Sequence, residues 1–212
     1  APNSYHSAPC VGNGPLVENN FIWNQKSPYP GQQLSAAIGL SSNIVSIVQN
    51  NTIVGGNGGI WYDTSDTSIA PIIRNNLVYD VDSTKSLGLL HLKGGIEMSA
   101  IGYNNLNTTS GTSLVQIDAS AYSCSQLNAG SAQIPATNKC ATPLLVNYSG
   151  APSTWDLHLA PGDTADKDAG TAGPSDDIDK QPRTGNVDIG ADETTTSSDT
   201  VPPATVQNLR FL

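Results

Sequence analysis

Apolar residues along this chain come in short runs broken by Asn, Gly and Ser, and no stretch spaces them at helical periodicity. One unit recurs: two apolar residues, a variable residue, Asn-Asn, then two mostly apolar residues. It stands at 16–22 (Leu-Val-Glu-Asn-Asn-Phe-Ile), 47–53 (Ile-Val-Gln-Asn-Asn-Thr-Ile), 72–78 (Ile-Ile-Arg-Asn-Asn-Leu-Val) and 101–107 (Ile-Gly-Tyr-Asn-Asn-Leu-Asn). From the second Asn of one copy to the next the steps are 31, 25 and 29 residues. A period in this range marks repeat architecture.

β-Branched and apolar runs punctuated by Asn and Gly predict strands. Asn tolerates the left-handed backbone region better than any residue but Gly, so strand–Asn-Asn–strand describes a sharp corner. If each period is one coil, successive coils lie about 4.8 Å apart, one strand spacing. Asn20, Asn51, Asn76 and Asn105 then stack as a ladder whose amides hydrogen-bond from coil to coil. The variable slot (Glu18, Gln49, Arg74, Tyr103) faces solvent in this scheme, and the flanking apolar slots face the core. Segments 87–92, 95–98 and 113–118 supply the intervening strands, and 143–147 a last one. An Asn-rich antiparallel sandwich is the alternative, but it gives no reason to repeat one corner in one register.

The pieces Asn-Asn-Thr-Ile-Val-Gly-Gly-Asn-Gly-Gly-Ile-Trp-Tyr (50–62) and Ile-Arg-Asn-Asn-Leu-Val-Tyr-Asp (73–80) resemble the repeats of the pectate-lyase-like superfamily. That resemblance implies an all-β fold: a right-handed, single-stranded parallel β-helix, here of about four to six coils, with an irregular C-terminal cap from about residue 143. The cap segment, Trp-Asp-Leu-His-Leu-Ala-Pro-Gly (155–162) through Val-Asp-Ile-Gly-Ala-Asp-Glu (187–193), resembles the C-terminal end of many bacterial secreted β-helix proteins. It departs from them at 163–168, where an apolar residue more often precedes the Asp-Ala-Gly. Residues 1–14 read as a lead-in and 15–193 as the β-helix with its cap. Within 194–212, a Thr/Ser/Pro linker precedes a stretch resembling the first strand of a fibronectin type III-like module. The chain therefore reads as a piece of something longer. No covering helix is visible before the first coil, so either the cover has been removed or another chain provides it, and the second is the expectation taken up: head-to-tail stacking on another copy, or a covering partner chain.

The chain has 212 residues and a formal charge of −9. That balance argues against nucleic acid and anionic membrane surfaces as partners. It also argues against polyanionic glycans, unless calcium bridges the charges. No apolar run has the length of a membrane span. Abundant Ser, Thr, Asn and Gly with few Lys fits a secreted or cell-surface protein. Of the three cysteines, Cys124 and Cys140 flank a polar loop and are expected to form a disulfide, leaving Cys10 over. The sequons at Asn50, Asn107 and Asn147 read as chance in an Asn-rich chain.

Candidate chemistry is sparse. Asp166-x-Asp168-x-Gly170, with Asp177 and Asp179 nearby, has the oxygen-rich tight-turn character of calcium loops, and equally of a solvated acidic turn region. Arg183 suits an ion pair with an Asp of the same stretch. Trp23, Trp61 and Tyr62 follow or lie in repeat strands, where exposed aromatics either stack on sugar rings or cover coil edges. Lyases of this superfamily resemble one another in using Lys and Arg on adjacent coils to abstract a proton beside a uronate carboxylate. The basic residues within these coils are Lys26, Arg74, Lys85 and Lys93, with Arg74 and Lys93 as the pair to share a face, but none stands in a lyase motif. No Gly-His-Gly of the related glycoside hydrolases is present, and no nucleophile–base–orienter set is visible. No catalytic residue is assigned. The expected function is that of an extracellular, non-catalytic structural or adhesive domain, with glycan as the ligand to test. The alternative is the C-terminal part of a polysaccharide lyase or glycoside hydrolase whose catalytic coils lie elsewhere.

Overall fold

The computed structural model describes residues 14–25, 36–41, 44–82 and 88–194. Cys10, Lys26, Lys85, most of the lead-in, and the linker with its module start lie outside them.

The chain folds as a parallel β-solenoid. Its short strands are β1 (Leu16–Glu18), β2 (Phe21–Trp23), β3 (Ile38–Ser41), β4 (Ile47–Gln49), β5 (Thr52–Val54), β6 (Ile60–Asp63), β7 (Ile72–Arg74), β8 (Leu77–Tyr79), β9 (Leu90–Leu92), β10 (Ile101–Gly102), β11 (Asn105–Asn107) and β12 (Val115–Ile117). They stack in three parallel sheets, β1-β4-β7-β10, β2-β5-β8-β11 and β3-β6-β9-β12. The solenoid makes about three turns, fewer than the four to six the sequence predicts. The reason is that residues after β12 leave the coil path, 143–147 included.

The corner is built as the doubled Asn implies. The first Asn of the first three pairs takes the left-handed conformation, with φ of 52° at Asn19, 50° at Asn50 and 54° at Asn75. The second points inward and carries the ladder. Asn20 Nδ2 donates to Asn51 Oδ1 (2.9 Å), Asn51 Nδ2 to Asn76 Oδ1 (2.9 Å), and Asn76 Nδ2 to Asn104 Oδ1 (2.9 Å). Each of these side-chain amides also bonds main-chain carbonyls, as Asn51 does with Val17 and Gln49. These bonds satisfy backbone groups that the corner would otherwise leave buried and unpaired.

The fourth rung is Asn104, not Asn105. Ile101 pairs with Ile73 and Gly102 with Arg74, which sets Tyr103 at the corner (φ 58°) and Asn104 on the rung, while Asn105 opens β11 opposite Leu77. The core decides this register. A slip of one residue would turn Ile101, which is fully buried, out of the stack of Val48 and Ile73. The ladder then gains a fifth rung: Asn104 Nδ2 donates to Asn138 Oδ1 at 2.8 Å.

Inward-facing residues of all three sheets, among them Val48, Ile53, Ile60, Ile73, Val78, Leu90, Leu106 and Val115, form one core. Past β12 the chain turns back as β13 (Ser120–Tyr122), antiparallel to β12, and enters the short helix α1 (Cys124–Asn128). Leu127, Ala132 and Ile134 close the last coil from there, and the expected disulfide Cys124–Cys140 forms in this cover. Next, β14 (Leu145–Asn147) and β15 (Asp156–Leu159) form an antiparallel hairpin. Leu145, Leu157 and Leu159 pack with Val54, Leu77 and Ile189 in a second apolar cluster on the outside of the β2-β5-β8-β11 sheet.

The acidic C-terminal region does not sit over an end. It runs along the side as a strap down the Asn corner. Asn19 Nδ2 donates to the carbonyl of Asp176, Asn50 Nδ2 to those of Asp188 and Gly190, Asn75 Nδ2 to that of Thr171, and Asn105 Nδ2 to the carboxylate of Asp166. Gly190 fits where it does because its φ is 113° and a Cβ there would meet Thr52 Oγ1 at 2.8 Å. Among the described residues no helix is long and apolar enough to cross a membrane.

Candidate functional site

The outer face of the β3-β6-β9-β12 sheet carries the candidate site. Alternation along each strand puts Ile60 and Tyr62 inside and Trp61 and Asp63 outside. Register then lines up Gly39, Trp61, His91 and Gln116 as one outward row across the four strands. Trp61 and His91 stand with ring centroids 6.3 Å apart. Ser41 and Asp63 pair one residue-pair further along, and Lys93 and Asp118 follow Leu92 and Ile117 on the same side. Lys93 Nζ lies 3.2 Å from Asp118 Oδ1. The Gly94 main-chain N–H, and then the Lys93 ammonium, hold the Asp118 carboxyl below its usual range.

Two sequence expectations change here, those for Tyr62 and for the Arg74–Lys93 pair, while Trp23 keeps its exposed position on another sheet. Tyr62 is not a surface aromatic: its ring is fully buried in the core, and burial raises its phenol pKa. Trp23 is 51% exposed but belongs to the β2-β5-β8-β11 sheet, so it does not extend the Trp61 row. Arg74 and Lys93 do not share a face. Arg74 lies on the β1-β4-β7-β10 sheet, where its guanidinium donates to Gln49 Oε1 at 2.9 Å and Gln49 donates to Glu18 Oε2 at 2.7 Å. His91, isolated in the sequence, joins the site because it is the middle residue of Leu-His-Leu. That alternation marks it as outward-facing.

Several of the strap's carboxylates accept from backbone N–H groups. Asp163 accepts from the N–H groups of Asp166 and Leu144, Asp177 from those of Asp179 and Gln181, Asp188 from that of Asp168, and Glu193 from that of Thr184. Arg183 pairs with Glu193 (3.1 Å) rather than with an Asp, and it also donates to Asn19 Oδ1 and to the Gly190 and Ala191 carbonyls. Asp166, Asp168, Asp177 and Asp179 do not converge as a ligand set. Among the described residues the one group with metal-ligating reach is His158, Asp179 and Asp192, so Asp179 alone of the four takes part.

In that group His158 Nδ1 lies 2.5 Å from Asp156 Oδ1, and Nε2 lies 2.7 Å from Asp179 Oδ2. Burial lowers the imidazole's pKa, but the hydrogen bonds to Asp156 and Asp179 and the charge of Asp192 outweigh it, and the net shift is upward. Two carboxylates on the two ring nitrogens suit an imidazolium donating both protons. The Phe21 ring meets its edge with centroids 5.1 Å apart, so the cation ties hairpin, strap and first coil together.

No protein-family model matches the chain, and neither a curated protein nor a solved structure matches it significantly.

Proposed function

We propose that this chain is an extracellular, non-catalytic β-solenoid domain of the pectate-lyase-like kind, a structural or adhesive element whose β3-β6-β9-β12 face contacts carbohydrate. The observation that carries the reading is the Trp61–His91–Gln116 row. An aromatic face flanked by hydrogen-bonding groups at about 4.8 Å steps suits sugar rings laid across the coils. The charge of −9 favours neutral glycans, or acidic ones bridged by calcium. The disulfide-fastened cover and the hydrogen-bonded Asn corner support a rigid surface element.

Head-to-tail stacking belongs to the same reading. Val17 and Ile22 of the first coil are only partly buried among the described residues, and Leu16 and Trp23 are exposed there. Sizing at several concentrations tests it; a strict monomer at all of them ends it. The second reading, part of a polysaccharide lyase or glycoside hydrolase, draws on His91 and Lys93 lying on the Trp61 face. With the catalytic coils outside these residues, it requires further coils in the parent protein that release unsaturated uronate or reducing ends; turnover by this chain alone would place catalysis on the Trp61 face. The first reading requires binding without turnover, lost in Trp61→Ala.

A further inference from the structure

Asn105, Lys139 and Asp166 come from three segments and meet beside the last coil. Lys139 lies in a parallel bridge next to Asn105, with its N–H donating to the Asn104 carbonyl (2.9 Å) and its carbonyl accepting from Leu106 N–H (2.9 Å). Parallel register puts the two side chains on the same side of the pair. Asp166 arrives from the strap with its side chain wholly shielded from solvent. Asn105 Nδ2 donates to Asp166 Oδ1 at 2.8 Å and lies 3.0 Å from Oδ2, while Lys139 Nζ stands 3.9 Å from the same Oδ1 and donates to the Ala165 carbonyl. On the other side of the amide, Ala141 N–H donates to Asn105 Oδ1 at 2.9 Å. The ladder bypasses this cluster through Asn104, so its arrangement is not spent on coil stacking.

The parts are those of an acyl transfer: an amine, an amide carbonyl with a backbone N–H on its oxygen, and a buried carboxyl touching the leaving nitrogen. We propose that Lys139 and Asn105 become joined by an intramolecular amide bond, with Asp166 as the catalytic acid and base. The neutral Lys139 amine attacks Asn105 Cγ, and the Cγ–Nζ bond forms while Ala141 N–H holds the developing charge on Oδ1. Asp166 gives its proton to Nδ2 and takes one from Nζ. The Cγ–Nδ2 bond then breaks and one ammonia leaves, with no oxidant or reductant. The shifts run in the matching direction: burial raises the Asp166 carboxyl to about 7 and lowers the Lys139 ammonium below its usual range, each toward its uncharged form. The link would fasten β11 to the cover loop next to the Cys124–Cys140 disulfide.

Intact-mass spectrometry of the full chain, with the disulfide reduced, tests this. The expected result is a mass about 17 Da below the sequence mass, one ammonia. Peptide mapping should show the Asn105 and Lys139 segments joined and tryptic cleavage after Lys139 lost. Lys139→Arg and Asp166→Asn should both return the full mass with an unchanged circular dichroism spectrum. The wild type needs no variant to decide the matter: full mass and separate peptides after prolonged incubation at neutral pH overturn the proposal. A loss of about 18 Da overturns it too, because one water would come from a Lys139–Asp166 link. A mass loss that persists in Asp166→Asn overturns the role given to Asp166.

Discussion

Replacing Asn76 by Ala removes the middle of the ladder, and the structure sets the size of the loss. The Asn76 side chain donates to the carbonyls of Val48 (2.9 Å) and Arg74 (3.0 Å) and to Asn104 Oδ1 (2.9 Å). Its Oδ1 accepts from Asn51 N–H (3.2 Å) and Asn51 Nδ2 (2.9 Å). Residues 51, 76 and 104 are all fully buried, so water does not reach the groups left behind. At roughly 1 kcal/mol net per bond, with stranded buried donors costing roughly 1–3 kcal/mol each, Asn76→Ala should lose about 4 kcal/mol. Among the described residues, Asn20, half-buried on the first rung, donates to Glu18 O and Asn51 Oδ1. Solvent can replace part of that, and Asn20→Ala should lose about 1 kcal/mol. Urea unfolding followed by far-ultraviolet circular dichroism and by tryptophan fluorescence measures the difference. A gap of about 3 kcal/mol is expected, a large share of the roughly 5–15 kcal/mol that holds a domain folded. Equal losses, or a loss under about 1 kcal/mol for Asn76→Ala, would show that the amide ladder does not hold the coils.

Tyr103 turns its corner at φ 58°, a conformation costly for an aromatic residue and mild for Asn. Tyr103→Asn should therefore raise stability by about 1 kcal/mol in the same urea assay, and a loss would contradict the corner assignment. His158, with its pKa raised in the folded state, contributes stability that is fully present below its ordinary range and is lost as pH rises through the raised value. The urea midpoint should fall as pH rises from the ordinary imidazole range, and His158→Gln should flatten that fall; an unchanged slope in the variant would remove the imidazolium clamp. Replacing Cys124 and Cys140 by Ser opens a cross-link of sequence separation 16. The expected cost is about 3 kcal/mol, read as a lower melting temperature that reducing agent reproduces in the wild type.

Much of the fold is legible in the sequence because stacking imposes a period, and the period shows wherever the corner chemistry is constant. Asn20, Asn51 and Asn76 are readable for that reason. Asn105 is not the fourth rung because Tyr-Asn-Asn offers two ways to turn one corner, and only the burial of Ile101 chooses between them. Asn138 is hidden because its rung lies in a polar loop with no apolar frame around it. The Trp61–Tyr62 pair was decidable in part: neighbouring strand residues must face opposite ways, so one of them had to enter the core. The strap was not decidable. Its partners Asn19, Asn50 and Asn75 lie about a hundred residues or more away in sequence, and their amides find main-chain carbonyls, which any residue type supplies. Asn105, Lys139 and Asp166 meet from three separate segments outside any repeated frame, Asn105 and Asp166 being 61 residues apart.

The most direct measurement is a heteronuclear NMR titration of the isotope-labelled protein with soluble neutral polysaccharides, repeated on Trp61→Ala. A glycan face on the β3-β6-β9-β12 sheet requires shifts confined to Trp61, His91, Gln116, Asp63, Lys93 and their neighbours, abolished in the variant, with no product signals growing in. Shifts centred elsewhere on the solenoid, binding unchanged in Trp61→Ala, or the appearance of cleaved sugar would contradict it.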